Sequence, residues 1–318
     1  MKKLLALMGV SLLISTTLFA AKSDILISAK EAKKYLDNPK KYPNVVFVSG
    51  DSEDSFPTGH IPGSVVMGAH HLHHSDITGH MHCTPLYQCI EEAEHHIGEK
   101  GIDNNTLVIA YDDFRGPNAT GVYHFFKVYG HKNVKLLNGG RAAMEKEGVV
   151  MEKGPEKPRK AKHYHIDPKK VNFDIIADKY EVLKASNQIL KDIEKKGSKQ
   201  KSDYVIIDSR AMNEIIGERK LDNVARGGHV PGASFIEWKQ VTDFDNKLSF
   251  PEDMSKVQQK LNKMGITKDK TVYAYCHVGA GRGSYFYTVL KLLGYKDVKV
   301  YTGSWDEWGN DMNLPIRK

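Results

Sequence analysis

One glycine-rich stretch organises this chain: Tyr275-Cys276-His277-Val278-Gly279-Ala280-Gly281-Arg282-Gly283-Ser284. The preceding Thr271–Tyr275 is β-branched and aromatic, which predicts a short buried strand. The following residues 285–293 are largely apolar and end at Gly294, which predicts a helix. Cys276 would therefore lie on a turn between a strand and the N-terminus of a helix, where backbone N–H groups and the helix dipole favour negative charge. We expect its thiol to react as the thiolate.

Length and composition indicate a globular protein of about two domains. The chain has 318 residues, of which 40% are hydrophobic and 27% charged. The formal net charge is +7, and Lys2 and Lys3 supply two of those positive charges. This modest net positive charge suits small anionic substrates, and we infer no nucleic-acid partner from it.

Residues 1–20 have the pattern of a secretory signal peptide. Lys2 and Lys3 precede an apolar run from Leu4 to Leu13, and small residues follow near Ala20. The apolar run is too short to span a membrane, although a retained anchor is the alternative. We expect residues 1–20 to be removed on export. The mature protein would then be periplasmic or secreted, with no membrane contact.

The chain contains three cysteines, Cys83, Cys89 and Cys276. An exported protein meets an oxidising compartment, and an odd number leaves one thiol over if two cysteines pair. Cys83 and Cys89 are close in sequence and are candidates for a local disulfide, although the sequence leaves that pairing open. Cys276 would then be the remaining thiol.

The two halves of the chain repeat one another. Strand patterns alternate with helix patterns in each half, which predicts a mainly parallel sheet with helices on both faces. A Gly-His-Ile/Val-Pro-Gly segment occurs at 59–63 and at 228–232. Four further matches are each 164 residues apart: Gly101 and Gly265, Tyr111 and Tyr275, Gly130 and Gly294, and Gly139 and Gly303. We predict a first copy at 21–150 and a second copy at 175–318, joined by a lysine- and proline-rich linker at 151–174.

The repeat is unequal at the position that matters most for chemistry. Asp112 in the first copy aligns with Cys276 in the second. An aspartate cannot act as a sulfur nucleophile, so we expect the first copy to be structural or to form a wall of the site. The second copy would carry the chemistry.

Taken in order, these motifs resemble the tandem rhodanese sulfurtransferases. The shared features are the Gly-His-x-Pro-Gly turns, a strand that ends in Asp208-Ser209-Arg210, the Tyr-Cys loop before a helix, a closing strand before Trp305, and Tyr-Asp in the first copy. The resemblance implies an α/β fold of two tandem rhodanese-like domains, each with a mainly parallel central sheet flanked by helices. It also implies that the first domain is catalytically silent.

The resemblance implies covalent catalysis through a Cys276 persulfide. The sulfur would come from a small anionic donor such as thiosulfate, 3-mercaptopyruvate or a polysulfide, and would pass to a thiol or to cyanide. No cofactor or metal is expected. The candidate substrate-binding residues are those whose N–H groups or guanidinium could hold an anion: His277, Val278, Gly279, Ala280, Gly281, Arg282, Arg210 and Arg219.

Two departures from the family leave the substrate open. The Cys-x5-Arg spacing is one residue longer than the family's usual six-residue loop. It is similar to that of rhodanese-related phosphatases and arsenate reductases, the alternative enzyme class. The segment 214–217 begins with Glu214 where thiosulfate-handling members usually carry an arginine. We expect that carboxylate to repel thiosulfate unless Arg219 or Arg226 compensates for it.

A histidine-rich stretch raises a third interpretation. Nine of the 15 histidines fall between His60 and His96. Imidazole and thiolate groups could bind zinc or copper there, but the spacing matches no defined metal motif, so a solvated loop is the simpler interpretation. A non-catalytic sulfur or metal carrier is the corresponding alternative function. His60 and His229, each inside a tight turn, are predicted to bind backbone carbonyls.

Overall fold

The computed structural model describes residues 24–73 and 89–318. The predicted signal peptide at 1–20 lies outside the described residues, as does Cys83. Export and the pairing of Cys83 with Cys89 therefore stay predictions. Among the described residues, no helix is both long enough and apolar enough to cross a bilayer.

Two parallel five-stranded sheets form the framework, one in each half of the chain. Their strand orders are β1-β5-β4-β2-β3 and β6-β10-β9-β7-β8, and the second order repeats the first with five added to each number. This confirms the predicted α/β fold with two similar domains. The strands are β1 (Leu26–Ile27), β2 (Val45–Ser49), β3 (Val65–Val66), β4 (Leu107–Tyr111), β5 (Val134–Leu137), β6 (Ile176–Ala177), β7 (Tyr204–Asp208), β8 (Ser234–Phe235), β9 (Thr271–Tyr275) and β10 (Val298–Tyr301).

Helices cover the faces of both sheets, as parallel crossovers require. One helix begins directly after a side-chain cap, where Asp178 accepts hydrogen bonds from the backbone N–H groups of Tyr180 and Glu181, both at 2.9 Å. The α-helices are α1 (Ala29–Asp37), α2 (Ala69–His73), α3 (Ile90–Glu99), α4 (Pro117–Val128), α5 (Gly140–Lys146), α6 (Lys179–Lys196), α7 (Met212–Ile215), α8 (Ser255–Lys263), α9 (Arg282–Leu292) and α10 (Ser304–Asn310). Short 3-10 helices occur at Phe56–Thr58, Pro168–Lys170, Phe173–Ile175, Lys199–Lys201 and Trp238–Gln240.

Two helices begin earlier than their apolar patterns predict. Helix α4 starts at Pro117 rather than Val122, because proline fits the first helical position, where its missing N–H is not needed. Helix α9 starts at Arg282. Both helices therefore begin only a short loop after the carboxyl ends of the central strands β4 and β9.

The segment 151–174 packs more closely than a loose linker would. Glu152 and His60 exchange two backbone hydrogen bonds of 2.9 and 2.8 Å. Tyr164 and Ile166 are buried in the apolar core. This segment therefore extends the first domain before the second begins.

The two domains meet through α4 and α9, which occupy equivalent positions in the repeat. Thr120 and Ser284, 164 residues apart, bring their hydroxyl oxygens to 3.4 Å. The rings of His124 and Tyr287 meet edge to face with centroids 5.1 Å apart. One apolar cluster continues through both domains. The loops that precede these two helices therefore lie close together at the junction.

Candidate active site

Cys276 lies directly after β9 and is only 1% exposed. Its Sγ atom is 3.5 Å from the carbonyl oxygen of Ala280, and its backbone N–H donates to Ser304 Oγ at 3.2 Å. The N-terminus of α10 holds the loop from the other side: the N–H groups of Trp305 and Asp306 donate to the carbonyls of residues 276 and 277 at 3.1 and 2.9 Å. The backbone around the thiol is therefore fixed at both ends.

Ser304 positions the cysteine loop and was missed at the sequence level. Its φ is +51°, which is unfavourable for a residue with a side chain. Its hydroxyl accepts from Cys276 N–H and donates to the carbonyl of Tyr301 at 2.8 Å. The equivalent residue of the first copy, 164 positions earlier, is Gly140, with φ +49°. The sequence signal that could have identified Ser304 was the presence of serine in the second copy where the first copy has Gly140.

Gly279 is required where the loop passes β10. Its φ is +80°, and a Cβ atom there would lie 2.6 Å from the carbonyl oxygen of Thr302. Both facts exclude a larger residue without movement of the backbone. The predicted glycine turn is therefore set by close packing against the neighbouring strand.

The first copy shows how such a loop uses its helix N-terminus. The carboxyl group of Asp112 accepts hydrogen bonds from the N–H groups of Gly116 at 2.8 Å and of Asn118 and Ala119 at 3.2 Å. Burial raises the pKa of Asp112, the nearby Asp51 and Asp113 raise it further, and the N–H bonds oppose the rise. The start of α4 therefore holds acceptor oxygens supplied by the chain itself.

The repeat assigns an equivalent role to the start of α9. Asn118 and Ala119 correspond, at the 164-residue offset, to Arg282 and Gly283. Within the cysteine loop, two of the N–H groups predicted to hold a substrate are already engaged: Ala280 N–H donates to Val278 O at 2.9 Å, and Gly281 N–H to Ser284 Oγ at 3.0 Å. Anion binding would therefore depend on the N-terminus of α9 more than on residues 280 and 281.

Arg282 is paired with Glu214. The guanidinium donates two hydrogen bonds to the carboxylate, at 2.7 and 3.2 Å, with the side chains 24% and 9% exposed. Burial of Glu214 disfavours its charge, but the hydrogen bonds and charge of Arg282 outweigh burial and lower its pKa. Burial likewise disfavours the charge of Arg282, yet the charge of Cys276 and the bonds to Glu214 raise its pKa. Glu214 therefore neutralises the charge of Arg282.

The other predicted arginines do not reach the cavity that contains Cys276. Arg210 is buried, with Nε and Nη2 2.9 and 2.7 Å from the Asp208 carboxylate, and its guanidinium lies 4.5 Å from the Trp305 ring centroid. Arg226 donates to backbone carbonyls at 309 and 314, and Arg219 is exposed. Arg210 and Arg226 therefore hold the fold together, and neither compensates for Glu214.

The thiol borders a cavity of about 350 Å³ between the two domains. The first domain supplies one wall, one of the two roles predicted for the first copy, through His70, Pro117 and Asn118. The sequence did not identify these three residues as parts of the site. The second domain supplies Leu221, Asn223, Trp238, Cys276, His277, Val278, Ala280, Gly281 and Arg282. Of the predicted loop residues, Gly279 does not line this cavity.

The turn histidines have the structural role that was predicted. Nδ1 of His60 lies 3.1 Å from Phe56 O, and Nδ1 of His229 lies 3.0 Å from Ile215 O. Much of the histidine-rich stretch, from His74 to His82, lies outside the described residues. In ranges 24–73 and 89–318, no group of three or more His, Cys, Asp or Glu side chains is arranged to hold a metal ion.

Comparison with known proteins gives consistent results. The rhodanese-like domain model matches residues 28–147 and 187–311. The chain is 32% identical over 308 residues to the sulfur carrier protein TtuD of Thermus thermophilus, covering 94% of this chain and 98% of that protein. It is 29% identical to a protein of Mycobacterium bovis provisionally named thiosulfate sulfurtransferase 1, covering 93% and 98%. The anaerobic ergothioneine biosynthesis enzyme of Chlorobium limicola has a similar fold, with a TM-score of 0.73, 22% identity, and coverage of 93% of this chain and 70% of that one.

Proposed function

The chain belongs to the rhodanese-like family as a tandem-domain sulfurtransferase, and we propose that its reaction proceeds through a persulfide on Cys276. The Cys276 thiolate attacks the outer sulfur of the donor. The bond between that sulfur and the rest of the donor breaks, and the leaving group keeps the bonding electrons. A thiolate or cyanide then attacks the outer persulfide sulfur and releases the Cys276 thiolate.

The observation that carries this proposal is the contrast between the two equivalent loops. In the first copy, the N-terminus of α4 binds the oxygens of Asp112. In the second copy a cysteine replaces that carboxyl group, at the N-terminus of α9 and beside a cavity. A negatively charged persulfide on Cys276 would face the N–H groups of Arg282 and Gly283, which correspond to those of Asn118 and Ala119 that bind Asp112.

The charges at the cavity favour a donor with a single negative charge. Glu214 balances Arg282, and Leu221, Trp238 and Val278 contribute apolar walls. A dianion such as thiosulfate would have to be held against the nearby Glu214 carboxylate. We therefore favour 3-mercaptopyruvate or a hydropolysulfide as the donor over thiosulfate.

The same pair argues against the phosphatase or arsenate reductase alternative. Arg282 is the first residue of α9, and both of its hydrogen bonds to Glu214 oppose its use as a clamp on a tetrahedral oxyanion. The loop between β9 and α9 consists of residues 276–281, so Arg282 belongs to the helix and not to the loop. We propose sulfur transfer alone, and export of the mature protein on the basis of the signal-peptide pattern at 1–20.

Mass spectrometry of the intact protein tests the proposal directly. The reduced protein is incubated separately with thiosulfate, 3-mercaptopyruvate and polysulfide, excess donor is removed, and the mass and the modified peptide are determined. We expect one added sulfur on the peptide that contains Cys276 and none there in Cys276→Ser. Absence of added sulfur at Cys276 with all three donors, in protein shown to be folded and reduced, would exclude this mechanism.

A further inference from the structure

A second cleft lies beside the cysteine cavity, at the carboxyl edge of the first sheet. Its volume is about 370 Å³. It occupies the edge of a parallel sheet where ligands commonly bind in open α/β folds. Its lining is polar, in contrast to the apolar walls around Cys276: Gly50, Asp51, Ser52, Ser55, Gly68, Ala69, His70, Asp113, Arg115, Asn118 and Arg141. We refer to it as the first-domain cleft.

The first-domain cleft contains two acidic and two basic side chains. Arg115 Nε lies 2.6 Å from an oxygen of Asp113, and Arg141 Nη2 lies 3.5 Å from an oxygen of Asp51. The N–H groups at the start of α4 already bind Asp112, so a lone anion cannot use them. The balanced charges instead match a ligand that carries one ammonium and one carboxylate group, because each end can pair with a side chain of opposite charge.

Two residues connect this cleft with the reacting sulfur. His70 and Asn118 line both cavities. The side-chain amide of Asn118 donates to Asp51 at 3.2 Å. Nε2 of His70 lies 3.5 Å from the position that a Cβ atom on Gly281 would occupy, so His70 reaches the cysteine loop. The first-domain cleft therefore adjoins the cysteine cavity at these two residues.

We propose that the first-domain cleft binds the sulfur acceptor and that this acceptor is a small zwitterionic thiol, such as cysteine or a short peptide that contains it. The inference rests on the proposed persulfide chemistry. The acceptor thiol loses its proton to solvent, and its thiolate attacks the outer sulfur on Cys276. A new S–S bond forms to the acceptor, the S–S bond to Cys276 breaks, and the Cys276 thiolate and an acceptor persulfide result.

Acceptor kinetics on the preloaded enzyme test the charge requirement. Full-length protein carrying the Cys276 persulfide is mixed with L-cysteine, with cysteamine, which lacks the carboxylate, or with 3-mercaptopropionate, which lacks the ammonium. Rates are compared at matched thiolate concentration. We expect the second-order rate constant for L-cysteine to exceed the other two by about tenfold, the factor that one lost charge-assisted contact corresponds to.

Charge variants assign the two ends of the acceptor. Arg115→Gln should lower the rate constants for L-cysteine and 3-mercaptopropionate by about tenfold and leave cysteamine unchanged. Asp113→Asn should slow L-cysteine and cysteamine but not 3-mercaptopropionate. Lys195→Gln removes an exposed positive charge from the last turn of α6 and serves as the control for net charge. Calorimetric titration of Cys276→Ser with S-methyl-L-cysteine supplies a binding measurement that does not depend on turnover.

Equal rate constants for the three thiols in the wild type would overturn the inference. It would also be overturned if each variant lowered the rate constants for all three thiols by the same factor. Persulfide loading is measured first in every sample. Loading without acceptor selectivity would contradict the role of the cleft and leave the proposed function intact. Failure to load Cys276 would instead contradict the proposed function.

Discussion

Replacement of Glu214 by glutamine should convert the protein into a better thiosulfate enzyme. In the native structure Glu214 neutralises Arg282 through two hydrogen bonds at the border of the cysteine cavity. Glutamine keeps the size of the side chain, and its oxygen can still accept the N–H of Ala211, which Glu214 binds at 3.2 Å. The change therefore removes one negative charge while the start of α7 keeps its cap.

The size of the effect follows from Coulomb's law. Taking a separation of roughly 8 Å for a charge that contacts the cavity only through Arg282, removal of one negative charge stabilises a bound dianion by about 2 kcal/mol at an effective dielectric constant of about 40, and a monoanion by about half as much. In Glu214→Gln we therefore expect kcat/KM to rise roughly thirtyfold for thiosulfate and roughly fivefold for 3-mercaptopyruvate. High salt should reduce both gains.

The assay compares both donors with one thiol acceptor, in the wild type, Glu214→Gln and Glu218→Gln. Glu218 lies four residues further on and is exposed, so it controls for net charge. The stability of Glu214→Gln should be lower by about 1–2 kcal/mol at neutral pH, because a partly exposed charged pair is lost. Since Arg282 lowers the pKa of Glu214, this difference should disappear as the pH falls below 4.5 and the native carboxylate is protonated.

The reasoning would be refuted if Glu214→Gln formed the Cys276 persulfide normally from polysulfide but used thiosulfate no better than the wild type. It would also be refuted if Glu218→Gln gave the same gain. A gain that was equal for thiosulfate and 3-mercaptopyruvate would show that the charge of the donor is not what Glu214 discriminates.

Three further substitutions test residues that hold the cysteine loop or stabilise the fold. Ser304→Ala should slow persulfide formation at Cys276 and lower the free energy of unfolding by about 1–3 kcal/mol, whereas Ser304→Gly should slow loading equally but lose less stability because the positive φ is relieved; loading rates and urea unfolding measure both. Asp208→Asn should lower the unfolding free energy by about 3–5 kcal/mol in urea, because it leaves the buried Arg210 without its partner charge; an unchanged urea midpoint would contradict this. Burial lowers the pKa of His131, so wild-type stability should fall as the pH drops below 6.5, and His131→Asn should flatten that dependence in urea titrations at pH 7 and 5.

The framework of the fold could be predicted because each signal was local. β-branched runs such as Val45–Ser49 and Thr271–Tyr275 marked central strands, and the constant 164-residue offset linked the two copies. Cys276 followed from the same local pattern. The contact between Glu214 and Arg282 could not be read in this way, because 68 residues separate the two and α7 brings them together only in the folded domain.

The residues of the opposite wall could not be identified from the sequence for a related reason. His70 and Asn118 belong to the first copy, and only the packing of α4 against α9 brings them to the cysteine. Arg210 shows the converse error. A cationic residue in an expected motif suggested substrate binding, but Nε and Nη2 of Arg210 donate to Asp208 and Nη2 also donates to the carbonyl of Gly228. Residue type alone cannot distinguish a buried ion pair from an anion site.

The pairing of α4 with α9 also shows how a copy without a nucleophile contributes to the site. The contact between Thr120 and Ser284 sets the two equivalent loops side by side. In one loop Asp112 occupies the N–H groups, so that loop is packed and closed to a small anion. The other loop can receive a sulfur anion, and Asn118 of the closed loop forms part of its cavity. The first copy thus contributes a wall of the cavity in which the cysteine of the second copy lies.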